Sequence, residues 1–129
     1  MTEKRSWMFP MSGRRPPLSL NDRGNHYARA RLTRSVRDEA SWRARSARIP
    51  RPLAKVRVEV IWVVGDHRRR DEDNPAPSAK AVYDGLVDAG IVPDDTPEFM
   101  EKPSVRIEYR QGVYEWFVKV TDLTPKEVA

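Results

Sequence analysis

The segment Asp71-Glu72-Asp73-Asn74 brings three carboxylates and an amide together directly after the arginine run 68–70. Neighbouring carboxylates repel one another unless a positive charge compensates them. In an extended chain, Asp71 and Asp73 would point to the same side because side chains alternate along a strand. Mg²⁺ prefers oxygen ligands and keeps several waters, so two or three carboxylates are enough to hold it. The segment therefore predicts a magnesium site; the alternative is a solvated turn in which Asn74 caps the next helix.

Lys80 and the pair Asp94-Asp95 are the next candidates along the chain. Lys80 either neutralises charge on a phosphate near the metal or pairs with Asp84 one helical turn later. A helix over about 76–89 spans about 21 Å, and six extended residues after it cover about 20 Å. Asp95 can therefore return to the start of this helix and join Asp73. Otherwise Asp94-Asp95 form a polar turn, or Asp95 serves the site of a second subunit.

The charge of the chain is divided unevenly between its two parts. Residues 1–52 contain thirteen Lys and Arg against four Asp and Glu, whereas residues 53–129 contain eleven against fifteen. A basic surface attracts phosphates, and nearby carboxylates can hold a cation that bridges to one of them. This division favours an enzyme acting on a polyanion, although arginine-rich surfaces are also found simply solvated.

The pattern of apolar residues predicts two helices. Thr33 is expected to cap a helix that runs to about Ala47, with Val36, Ala40 and Ala44 on its buried face. The second helix is expected over about 76–89, with Ala79, Val82, Tyr83 and Leu86 on its apolar stripe and Gly90 at its end. Between the N-terminus and the first helix, residues 13–19 are expected to form a basic loop because Pro16-Pro17 interrupts regular structure.

Alternating apolar residues predict four strands, over residues 6–11, 55–64, 104–110 and 113–121. Gln111-Gly112 separates the last two, which favours a β-hairpin. Together the elements predict an α+β fold: one domain over residues 1–129, with a mixed β-sheet, two main helices packed on it and a C-terminal β-hairpin.

Composition excludes several classes of protein. The sequence has no cysteine and only two histidines, His26 and His67, so disulfides and a structural zinc site are excluded. No apolar run reaches the length of a membrane span, and the first residues lack the apolar stretch of a signal peptide. We therefore expect an intracellular, cytoplasmic protein that does not enter a membrane.

Taken together, the ordered set Arg-Arg-Arg-Asp-Glu-Asp-Asn, Lys80, Tyr83-Asp84-Gly85-Leu86, Ala89-Gly90 and Asp94-Asp95 resembles the RusA-type Holliday junction resolvases of bacteria and phages. The similar stretch covers about 68–100, and Pro16-Pro17, Ser19, Asn21 and Arg23 form a weaker similarity near the start. Five residues separate Asn74 from Lys80, more than in the founding members of the family.

The resemblance implies a homodimer, in the cytoplasm of a bacterium or of a phage-infected cell, that binds four-way DNA junctions. It makes paired symmetric nicks in them with Mg²⁺, for which Mn²⁺ can substitute. Asp71, Asp73 and Asp95 match the catalytic, metal-binding acidic residues, and Lys80 matches the essential lysine. DNA binding is expected from the following residues: Arg14, Arg15, Asn21, Arg23, Arg68, Arg69, Arg70 and Asn74. Two alternatives stay open: a DNA-binding protein without catalysis, and a nuclease that acts on flaps, forks or RNA–DNA hybrids.

Overall fold

The fold is a mixed β-sheet with two helices packed against it, as expected for the α+β class. A computed structural model describes residues 4–21 and 24–125. Its elements are β1 (Ser6–Met11), α1 (His26–Ser46), β2 (Val56–Val64), α2 (Ala76–Asp88), β3 (Met100–Glu101), β4 (Arg106–Tyr109) and β5 (Glu115–Asp122). Within these ranges, no helix has the length and apolar composition needed to cross a membrane.

Strand β2 is the centre of the sheet. Strand β5 runs antiparallel along one side of it, from Val56↔Asp122 to Val63↔Glu115, and β1 runs antiparallel to the outer side of β5. Strands β3 and β4 pair in parallel with β2, β4 alongside residues 61–64. Because β4 and β5 pair with the same residues of β2, they must lie on opposite sides of it.

The predicted C-terminal hairpin is therefore wrong. Strands β4 and β5 are consecutive in the chain, but β2 lies between them. The connection crosses the end of β2 at Gly65, where the Gly112 N–H donates to the Gly65 carbonyl at 3.3 Å. A Cβ atom added to Gly65 would lie 2.7 Å from the Val113 nitrogen. The missing side chain thus lets this crossing pass close to the strand end.

Helix α1 begins earlier than the sequence pattern predicts. Asn25 caps it, its Oδ1 accepting from the Tyr27 N–H at 2.7 Å, whereas the Thr33 hydroxyl donates to the Arg29 carbonyl inside the helix at 2.9 Å. The first two turns carry exposed Tyr27 and Leu32, so they lack the buried face by which apolar periodicity detects a helix. Helix α2 lies where it was predicted, and Gly90 follows it with a positive φ of 81°.

The core lies between one face of the sheet and the two helices. Val58 and Val118 of the sheet, Ala40 of α1 and Leu86 of α2 are all fully buried. The helices approach closely at Gly85, where an added Cβ would overlap the Arg37 carbonyl oxygen. This packing fixes the start of α2 relative to the end of β2, and the candidate functional residues lie around these two points.

Candidate functional site

The N-terminal loop is fixed against the start of α2. The Ser78 hydroxyl, fully buried, accepts from the Leu18 N–H at 2.7 Å and donates to the Leu18 carbonyl at 2.9 Å. The Leu20 N–H donates to the Asn74 carbonyl at 2.9 Å. These bonds bring the basic loop, distant in sequence, to the segment that follows β2.

A basic cavity of about 790 Å³ lies between this loop and the end of β2. Its walls carry several arginines from the two segments: Arg14, Arg15, Arg68, Arg69 and Arg70. The ring of Trp62 and the ring of Tyr114 line the same cavity. The structure thus brings together most of the arginines that the sequence assigned to DNA binding.

Asp66 organises one wall of the basic cavity. Its carboxylate accepts from the Arg68 N–H at 2.9 Å and from the Tyr114 hydroxyl at 2.8 Å, and it pairs with Arg70 at 3.0 Å. The hydrogen bond from Arg70, followed by those from Arg68 and Tyr114, lowers the pKa of Asp66 well below its ordinary value. The hydrogen bond to Asp66 raises the pKa of Tyr114 in turn. Asp66 therefore stays ionised and holds these groups in place.

The arginines of this cavity differ in how tightly they are held. The Arg70 side chain is only 12% exposed, whereas that of Arg68 is 81% exposed. The Arg14 guanidinium lies 4.4 Å from the centre of the Tyr114 ring. Among the residues that the structure describes, Arg14, Arg15 and Arg69 have no carboxylate partner. Their charge is available to an anion from solution.

A second cavity, of about 840 Å³, shares Arg68, Arg69 and Arg70 with the basic cavity. Asp71 and Glu72 line it, together with His67, whose ring stacks on that of Tyr109 at 3.9 Å between ring centres. The arginine run therefore separates the aromatic rings of the basic cavity from the first of the predicted catalytic carboxylates.

The remaining predicted catalytic residues share an acidic cavity of about 380 Å³ at the start of α2. Glu72, Asp73, Lys80, Asp95 and Lys102 line it. The Lys80 ammonium lies 2.6 Å from Asp95 and 3.0 Å from Asp84. The chain after α2 thus returns to the helix start and brings Asp95 into the cavity that holds Asp73.

Lys80 compensates the charge of Asp95. Its hydrogen bond lowers the pKa of Asp95, and the hydrogen bonds to Asp95 and Asp84 raise the pKa of Lys80. Lys102 lies 4.0 Å from the same carboxylate. Lys80 forms the ion pair with Asp84 that one interpretation of the sequence predicted. It also lines the acidic cavity with Asp73 and Asp95, where the other interpretation places it.

The alternation of side chains predicted an extended chain with Asp71 and Asp73 on the same side. The structure does not have this arrangement. Residues 72–75 form a turn, and the Asp71 carboxylate accepts from the Asp73 N–H at 2.9 Å. Within residues 4–21 and 24–125, no group of three His, Cys, Asp or Glu residues is arranged to hold a metal ion. The donor chemistry of Asp71, Asp73 and Asp95 nevertheless fits Mg²⁺, which binds carboxylate oxygens.

Two other residues assigned to DNA binding, Asn21 and Asn74, line none of these three cavities. Asn21 is exposed, and its N–H donates to the Ser19 hydroxyl at 3.2 Å. Asn74 does not cap α2, whose preceding residue is Pro75 and which has no side-chain cap; its carbonyl holds the N-terminal loop instead. Arg23 lies outside the described residues.

Sequence reasoning did not identify Asp66, Ser78, Lys102 or Tyr114 as part of the site. Asp66 lies two residues after the end of β2, so its place beyond a strand end was a usable signal. Lys102 follows the two-residue strand β3, which is too short to be detected by alternation. Ser78 and Tyr114 act through partners 60 and 48 residues away, which only the folded chain reveals.

Comparison of the chain with family models and with curated proteins finds no match. We therefore infer the function from the residues and from their arrangement.

Proposed function

We propose that this chain is a magnesium-dependent endonuclease that cleaves four-way DNA junctions by paired symmetric nicks. The proposal combines the sequence resemblance to RusA-type resolvases with the arrangement of charges. One observation carries it: Arg68, Arg69 and Arg70 line both the basic cavity and the neighbouring cavity of Asp71 and Glu72. A phosphate backbone bound by these arginines passes directly beside carboxylates.

Each residue has a distinct role in this proposal. Asp71, Asp73 and Asp95 would hold the cation, with Glu72 lining the same acidic cavity as Asp73 and Asp95. Bound Mg²⁺ supplies Lewis-acid stabilisation of the phosphoryl oxygens and a more acidic water. Lys80 neutralises charge that develops on the phosphate, and the arginines position the backbone. Lys80 must exchange its bond to Asp95 for one to the phosphate.

The proposal includes a homodimer in the cytoplasm. A junction has approximate two-fold symmetry, and a two-fold dimer would present one site to each of two opposite strands. Paired nicks require both sites to act on the same junction.

Cleavage of an end-labelled immobile junction tests the proposal, beside linear duplex and flap substrates of matched length. Wild type is expected to nick the junction symmetrically in Mg²⁺, and Asp73→Asn is expected to lose this activity. Asp38→Asn is the matched control, since it removes an exposed carboxylate on α1. Equal junction cleavage by Asp73→Asn and wild type would refute the assignment. Cutting of flaps or forks alone would retain a nuclease and discard the junction as its substrate.

A non-catalytic DNA-binding protein is the second candidate function. It is favoured by the pairing of Asp95 with Lys80 and by the hydrogen bond that occupies the Asp71 carboxylate. It predicts junction and duplex binding that is sensitive to salt, indifferent to Mg²⁺ and without cleavage. The cleavage experiment separates the two candidates directly.

A further inference from the structure

The basic cavity combines two kinds of surface that phosphate binding alone does not require together. Its arginines suit the DNA backbone, but Trp62 and Tyr114 also line it. Both aromatic side chains are partly exposed rather than sealed in the core. Aromatic rings beside cationic groups are the surfaces on which unpaired bases stack in proteins that bind single strands.

We propose that this cavity binds one or two unpaired nucleotides at the branch point of the DNA. The inference rests on the proposed function for the identity of the ligand as branched DNA. It adds that the substrate has unpaired bases at its branch point, which the assignment of the catalytic residues does not specify. In a duplex each base face is covered by its neighbours, so only an unpaired base can offer its face to Trp62 or Tyr114.

The size of the cavity agrees with such a ligand. Sites that enclose small molecules measure roughly 300–1,000 Å³, and the basic cavity measures about 790 Å³. This volume suits one or two nucleotides.

The phosphate of a bound nucleotide would lie near those arginines of the cavity that have no acidic partner among the described residues. Asp66 is the carboxylate that pairs with Arg70 and Arg68, and it leaves Arg14, Arg15 and Arg69 without an acidic partner in the described part of the chain. Arg14 lies over Tyr114 at 4.4 Å and Arg70 lies 5.7 Å from the Trp62 ring centre. A guanidinium group therefore lies within cation–π distance of each ring, and a base can replace or extend these contacts.

The position of the cavity connects it with the proposed chemistry. The arginine run forms its boundary with the cavity that contains Asp71. A nucleotide held against the rings would therefore place the neighbouring phosphate beside the carboxylates. The substrates favoured by this arrangement are branches whose central bases are unpaired.

Binding of a fluorescein-labelled oligothymidylate of about eight nucleotides tests the inference, in EDTA so that no cleavage occurs. A blunt duplex of equal length is the comparison ligand. Wild type is expected to bind the single strand more tightly than the duplex. Trp62→Leu and Tyr114→Leu are each expected to weaken single-strand binding by about fivefold to a hundredfold, with little effect on the duplex.

The controls separate stacking from folding and from loss of a hydrogen bond. Trp42→Leu removes an exposed tryptophan of α1 and is expected to bind as wild type does. Trp62→Phe and Tyr114→Phe keep a ring and are expected to retain most of the affinity. Tyr114→Phe also removes the hydroxyl that donates to Asp66, so a loss equal to that of Tyr114→Leu would contradict stacking.

Two results overturn the inference: preference of wild type for the duplex, or single-strand affinities of Trp62→Leu and Tyr114→Leu equal to that of Trp42→Leu. Its failure is distinguishable from failure of the proposed function. A protein that shows the expected binding but does not cleave junctions retains the nucleotide site and loses the nuclease. If the protein cleaves junctions but Trp62→Leu and Tyr114→Leu bind the single strand as wild type does, the nuclease is retained and the nucleotide site is lost.

Discussion

The basic cavity and the acidic cavity lie on either side of the same arginine run, but their charges are compensated differently. In the basic cavity, Asp66 fixes Arg70 and leaves other arginines without acidic partners among the described residues. In the acidic cavity, Asp95 already has the Lys80 ammonium at 2.6 Å and Lys102 at 4.0 Å. One region has positive charge available for a ligand, whereas in the other Asp95 is already paired with lysines.

This difference suggests an order of events. The basic cavity can bind an anion without first giving up an internal ion pair. In the acidic cavity, a cation or a phosphate must compete with existing pairs, and the free energy for this exchange must come from binding elsewhere. We therefore expect DNA binding to precede tight cation binding.

Lys80→Met is expected to have the largest effect in this comparison. Loss of a positioned positive charge should slow junction cleavage by about a hundredfold to a thousandfold. Because Lys80 also neutralises Asp95, the variant should bind Mn²⁺ at least as tightly as wild type does. Single-turnover cleavage and Mn²⁺ titration measure the two effects, with Lys55→Met, before β2, as control. Weaker Mn²⁺ binding in Lys80→Met would contradict the view that Lys80 competes with the cation.

Removal of arginines from the basic cavity should have a smaller effect on binding. Arg15→Gln and Arg69→Gln are each expected to lower the slope of log affinity against log salt by about one, since one phosphate contact is lost. Arg34→Gln on α1 removes the same charge outside this cavity and serves as control. Junction binding measured between low and moderate salt in EDTA provides the slopes. Equal slopes for all three variants would show that net charge, and not this cavity, binds the DNA.

Gly65→Ala should affect the basic cavity by changing the position of the chain segment that carries Tyr114. The added Cβ would lie 2.7 Å from the Val113 nitrogen and displace the crossing that leads to Tyr114. Such overpacking typically costs about 1–3 kcal/mol, so the melting temperature should fall and single-strand binding should weaken. Gly24→Ala is the control because an added Cβ there has no neighbour within 4 Å. An unchanged melting temperature for Gly65→Ala would contradict the close crossing at the end of β2.

Asp66 provides the smallest expected effect, through pH. Its pKa is lowered in the folded protein by the hydrogen bonds from Arg70, Arg68 and Tyr114. The ionised group therefore stabilises the fold above 3.8, its ordinary pKa, and this contribution is lost as the pH falls towards the lowered value. The difference in melting temperature between wild type and Asp66→Asn should shrink below this pH. A difference that grows on acidification would contradict the direction of the shift.

The sequence identified those parts of the fold whose signals are local. Helix α2 and strands β1 and β2 follow from apolar periodicity and from prolines and glycines close in the chain. The hairpin was wrong because a short Gly-containing connection does not determine which strand lies beside which. In this fold β2 occupies the place between β4 and β5, a non-local pairing that only the assembled sheet determines.

The candidate site was predictable to a similar extent. Chain length limited how far Asp95 could lie from the start of α2, and the structure places it beside Lys80. Alternation wrongly suggested that Asp71 lies parallel to Asp73, because the strand ends at Val64 and residues 72–75 form a turn. The hydrogen bond between Asp66 and Tyr114 joins residues 48 apart in the chain, so no local pattern could predict it.

Mn²⁺ binding to the protein–junction complex tests whether the carboxylates hold a cation beside bound DNA. Electron paramagnetic resonance would count bound Mn²⁺ for wild type, Asp73→Asn, Asp95→Asn and the control Asp38→Asn. We expect cation binding that is strengthened by the junction, lost in Asp73→Asn and Asp95→Asn and kept in Asp38→Asn. Junction binding by all four proteins with no Mn²⁺ bound to wild type would contradict this expectation.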